Sequence, residues 1–191
     1  IDRCTLEGIK LHLSEVFAMC VEKNSELDHD APDKKMKGRA CYNGKTTKDE
    51  SGDWAFFAEL SSDPISMEGS KHVDAHGCMK GMDTDAGDAK KAYVQTKIKS
   101  TCQSDDDPEV MVPCEEWVAI PKEYWPKHWH KMKDPVVPLV YALYGHPDAG
   151  GMWEDHCTKQ ITSCGFKQVP NSGSLFWNPK DCILYTTDAA D

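Results

Sequence analysis

The sequence has no long apolar run. No stretch approaches the roughly 18 uncharged apolar residues that a membrane-spanning helix requires, so no such helix is expected. The start, Ile1-Asp2-Arg3, lacks the charged-then-apolar pattern of a secretory signal. No Cys-x-x-Cys occurs, and the 9 cysteines are odd in number and scattered from Cys4 to Cys182. That pattern reads as reduced thiols in an intracellular protein, cytoplasmic or nuclear, rather than a disulfide framework. Excess positive charge is missing too. The net charge is −10, which lowers the expectation of nucleic-acid binding, since phosphate recognition draws on clustered Lys and Arg. There is no internal repeat and no regular β-α alternation, which leaves an α+β arrangement.

A length of 191 residues with 39% apolar content suits one domain, or one and part of another. One basic block stands out against the acidic background: Lys34, Lys35, Lys37, Arg39 and Lys45. Leu6, Ile9, Leu13, Val16, Phe17 and Cys20 recur at helical spacing and predict an amphipathic helix over 5–22. Residues 24–35 read as a loop. Arg39 to Tyr42 has strand character, closed by the turn signal Asn43-Gly44. Ser62-Asp63-Pro64 predicts a helix start, with the helix ending at Gly77. Residues 92–98 read as strand or helix, 99–114 as a polar loop, Trp117 to Pro121 as a short strand, and 121–135 as irregular. Val136 to Tyr141 is β-prone despite Pro138. A helix is expected over Ala149–Ser163, ended by Gly165, followed by strands at 175–177 and 182–187.

Several short motifs occur in a fixed order. They are Lys37-Gly38-Arg39; Pro64 and its helix; Asp88 with Ala92-Tyr93; Trp117 to Pro121; Ala142-Leu143-Tyr144-Gly145 with Trp153; Gly165-Phe166; and Ser174-Leu175-Phe176. Any one is common, but together and in this order they are not. The chain resembles the reverse transcriptase domain of copia-type retrotransposon polyproteins over about residues 36–191. The resemblance implies a fingers-and-palm fold with an antiparallel palm sheet backed by helices. It divides the chain into an N-terminal helix and loop (1–35) and a fingers/palm segment (36–191), both ends looking cut from a longer polyprotein with integrase and RNase H. The partners it implies are an RNA or DNA template–primer and deoxynucleotides, with no membrane.

The same resemblance assigns roles. Nucleotidyl transfer uses two Mg²⁺ ions held by hard carboxylate oxygens. Asp88 would be the shared ligand and Asp191 the second; the plainer reading of Asp88 is a cap after Gly87. Tyr93 would be the steric gate against a ribose 2′-hydroxyl, or simply a core aromatic. Lys37 and Arg39 would meet the triphosphate or template backbone, or form a solvated strand face. Gly145 and Asp148 would lie near the base and template. Asp148 stands where the family has Gln and, when ionised, has no proton to donate; its plainer role is at a helix N-terminus.

The departure with most weight concerns the acidic pair. The family's Tyr-Val-Asp-Asp falls, counted without gaps from Ser174, on Asp188-Ala189-Ala190-Asp191. Read instead from Tyr185, it falls on Tyr185-Thr186-Thr187-Asp188. Either way the adjacent pair is broken, and the chain alone is expected to be inactive. Two other readings stand beside this one: a non-catalytic remnant that binds nucleic acid or a partner, and a small zinc module. For the latter, His72, His76 and Cys78 lie at one helix end but lack an evident fourth ligand. His128 and His130, set among Trp125 and Trp129, read as a surface loop.

Overall fold

The structure, a computed structural model, describes residues 4, 7–57, 64–104, 107 and 109–187. Mixed α and β elements form two compact units. The first comprises Ile1–Ala58 and Lys97–Pro147, the second Glu59–Thr96 and Asp148–Asp191.

The first unit is built on a sheet. Strand β1 (Lys10–Lys23) pairs antiparallel with β2 (Lys35–Tyr42) through its second half. Its first half pairs parallel with β4 (Met111–Ala119). Short strands β3 (Thr101–Gln103) and β5 (Val136–Pro138) both join β4 antiparallel. β5 carries Pro138, which donates no ladder hydrogen bond, and it lies off the main strand path, where such a residue is tolerated. The core gathers Leu11, Cys41, Tyr42, Cys114, Val118 and Ala142.

The stretch expected to be helical over 5–22 is therefore strand β1 where described. Helical spacing of its apolar residues coexists with alternation, and the alternation prevails. Leu11 and Leu13 face one side of the sheet and His12 and Ser14 the other, with His12 and Ser14 both buried. A count of apolar residues overlooks such polar positions. With partners on both edges, the backbone gains ladder hydrogen bonds that outweigh a weak local helix preference. The segment 99–114 is likewise not all loop: it holds β3 and the start of β4, in register Thr101↔Pro113. Only Val136–Pro138 of the β-prone stretch 136–141 is strand.

In the second unit, helix α1 (Met67–Gly77) is capped by Ser66, whose hydroxyl accepts from the Gly69 N–H. Ser62 and Asp63, the expected start signal, lie outside the described residues. A 3₁₀ turn at Tyr93–Gln95 replaces the strand or helix expected over 92–98. Helix α2 (Ala149–Ser163) ends as the sequence indicates. Gly165 takes φ 92°, the left-handed conformation that glycine adopts without a Cβ penalty, and its N–H bonds the Thr162 carbonyl. Antiparallel strands β6 (Lys167–Gln168), β7 (Leu175–Asn178) and β8 (Ile183–Thr186) follow. Phe176, Leu175, Met152, Trp153 and Ala92 are buried in this unit.

Among the described residues no helix is long and apolar enough to cross a membrane.

Candidate functional site

Alternation along β1 and β4 concentrates polar groups on the inner face of the first unit's sheet. The parallel register sets His12 beside Glu116, and Cys114 lies two residues before Glu116 on the same face. His12 Nδ1 is 2.9 Å from Glu116 Oε1, and His146 Nε2 is 3.3 Å from the same oxygen. Tyr42 donates its hydroxyl to Glu116 Oε2 at 3.1 Å, and Thr47 donates to the Tyr42 oxygen at 3.1 Å. Phe57 packs on both imidazoles, with ring centroids 4.7 Å from His12 and 5.4 Å from His146. Cys114 Sγ lies 3.7 Å from His12 Nδ1.

Burial alone would raise the Glu116 carboxyl. The hydrogen bonds and positive charge of His12 and His146 outweigh it and hold the carboxyl at about 2. Glu116 is thus an ionised anchor at neutral pH, not a proton donor. Burial first, then the Glu116 charge, push the Tyr42 phenol well up, so it remains a donor. Burial also raises the Cys114 thiol, with Cys102 and Glu116 adding to it. Among the described residues one trio of ligand-bearing side chains converges, His12, Cys102 and Cys114, with ligand atoms within 4.8 Å of one another. The opposite face carries Leu13 and Trp117, which help line an apolar groove of about 970 Å³ with Phe17, Trp125 and Val136.

The residues picked out by resemblance distribute between the two units. In the first, Lys37 is exposed on β2 and Arg39 is half-buried, its guanidinium 5.1 Å from the Tyr144 ring centroid. The Tyr42 N–H donates to the Tyr144 carbonyl at 2.7 Å, joining β2 to the Ala-Leu-Tyr-Gly turn. Gly145 takes φ 88°, and a Cβ there would sit 2.3 Å from the Tyr42 carbonyl oxygen, so the turn demands glycine. In the second unit, Asp88 is exposed in a segment without regular structure. Tyr93 is half-buried in the 3₁₀ turn that packs on α2. Asp148 occupies the N-cap position of α2, where its side chain makes no capping hydrogen bond. Asp191, with Asp188 to Ala190, lies outside the described residues.

His72 bonds the Glu68 carbonyl at 2.7 Å on the exposed side of α1, and His72, His76 and Cys78 do not form a ligand trio. Sequence reasoning missed His12, Glu116, His146, Cys102 and Cys114. The available signal was the alternation Cys114-x-Glu116-x-Val118, which buries Glu116 between two apolar positions, beside Leu11-His12-Leu13-Ser14, which buries His12 and Ser14 at every second position. Comparison with family models, curated proteins and solved structures returns no match.

Proposed function

We propose that the chain is a fingers-and-palm segment of copia-type reverse transcriptase descent that holds a template–primer without extending it. The observation that carries the reading is the joining of two motifs about a hundred residues apart in sequence. Arg39 of the basic strand lies over Tyr144, and the neighbouring Tyr42 N–H bonds the Tyr144 carbonyl. A glycine-dependent turn beside a basic strand is the arrangement expected where a backbone must approach a nucleotide closely. The ordered series of motifs and the β7–β8 hairpin after α2 support the same reading.

Magnesium does not fit the donor set. Asp88 is exposed in an irregular segment rather than fixed on a strand, and Ala190 or Thr187 stands where the first Asp of the acidic pair belongs. What remains is electrostatic and shape recognition by Lys37, Arg39 and the Tyr144–Gly145 turn, with the net charge of −10 limiting affinity. A primer-extension assay with Mg²⁺ and deoxynucleotides tests the inactivity. No product is expected, and robust extension refutes it.

A further inference from the structure

We propose that His12, Cys102 and Cys114 form a zinc site inside the first unit, with the Glu116 carboxylate beside it.

The placement follows from strand register. Cys102 pairs directly with Val112 across the β3–β4 ladder, so Cys114 is its diagonal neighbour, within side-chain reach. His12 pairs with Glu116 across the β1–β4 ladder, which makes it the diagonal neighbour of Cys114 on the other side. Three strands thus aim two sulfurs and an imidazole at one point. A tetrahedral zinc with Zn–N of about 2.0–2.1 Å and Zn–S of about 2.3 Å has an N···S edge of about 3.6 Å. His12 Nδ1 and Cys114 Sγ are 3.7 Å apart. His12 and Cys114 are buried and Cys102 is half-buried, so the trio is largely shielded from water.

The surroundings suit a cation. Glu116 Oε1 is 2.9 Å from Nδ1, so an ion that replaces the proton on that nitrogen lies beside a buried negative charge. Tyr42 donates to the other oxygen of that carboxylate and His146 lies 3.3 Å from the first, so the charge beside the site is held in place by its own partners. The ligands are soft sulfur with imidazole, which select zinc over magnesium. On binding, each thiol and His12 Nδ1 release a proton to solvent, and Zn²⁺ takes the place of the three. A Cys102–Cys114 disulfide suits the geometry less well. Diagonal neighbours in a sheet are about 7–8 Å apart, and a disulfide closes readily only up to about 6.8 Å between Cα atoms. This inference is independent of the polymerase reading.

The test is metal analysis of the full chain purified from zinc-supplemented medium, with Co²⁺ replacement followed by absorption spectroscopy. About one zinc per chain and a thiolate-to-cobalt charge-transfer band are expected. Both should be lost in Cys102→Ser and Cys114→Ser, and both kept in His72→Ala and Cys78→Ser. Glu116→Gln should keep the band while weakening binding about 10–100-fold. Wild-type chain without zinc and without the cobalt band overturns the proposal, whatever the fate of the variants. So does metal that survives Cys114→Ser, or a mass two hydrogens lighter that maps to a Cys102–Cys114 bond.

Discussion

In the metal-free chain, replacing Glu116 with Gln removes one buried negative charge and almost nothing else. The amide keeps the volume, still accepts from Tyr42, and still reaches His12. The Glu116 side chain is only 5% exposed, so solvent screens little of what is lost. Two routes give the size of the effect. Its carboxyl falls from an ordinary 4.5 to about 2 in the folded chain, and at 1.36 kcal/mol per pH unit that is about 3 kcal/mol of stability. Removing one partner of a buried ion pair costs about 3–5 kcal/mol by mutational precedent. The sign follows from the depressed folded value. The contribution is complete above pH 4.5 and disappears as the pH falls towards 2. Urea unfolding at pH 7, with a slope of about 1–3 kcal/mol per molar, should place the Gln midpoint about 1–3 M below wild type. Between pH 5 and pH 3 the wild type should lose stability steeply and the variant much less. Equal midpoints at pH 7, with superimposable acid profiles, would show that the imidazoles do not hold Glu116 as an ion.

Gly145→Ala should destabilise by at least the about 1–3 kcal/mol of a strained backbone conformer, because Ala resists φ 88° and its Cβ meets the Tyr42 carbonyl; thermal unfolding reads this. Phe176→Ala should cost about 3–5 kcal/mol, since the ring is fully buried on β7 of the second unit; a change under 1 kcal/mol in chemical denaturation would mean the site collapses freely. Zinc removal by a strong chelator should lower the unfolding temperature of wild type and leave Cys114→Ser unaffected.

Legibility in the sequence followed how local the determinants were. Helix α2 and its stop at Gly165 were readable because a single glycine and an unbroken periodic segment decide them. The β7–β8 pair was readable for a similar reason: short β-prone runs bounded by turn residues. Strand β1 was not, because its state is set by β2 and β4, and the latter lies about a hundred residues away. The inner polar face was hidden for the same reason. His12, Cys102, Glu116 and His146 have ordinary neighbours in sequence and become a cluster only when three strands and a turn meet. Arg39 and Tyr144 were each noticed separately. Their stacking, and the hydrogen bond beside it, depended on pairing that no local pattern announces.

The reading of function turns on whether Lys37 and Arg39 meet phosphate. Fluorescence anisotropy of a labelled hairpin template–primer, titrated with the chain across a series of salt concentrations, measures this directly. Affinity should fall with salt, and the double variant Lys37→Ala, Arg39→Ala should flatten the log–log slope by about 0.7–0.9 for each phosphate contact removed. Absence of binding at low salt, or a slope unchanged in the double variant, would contradict the account.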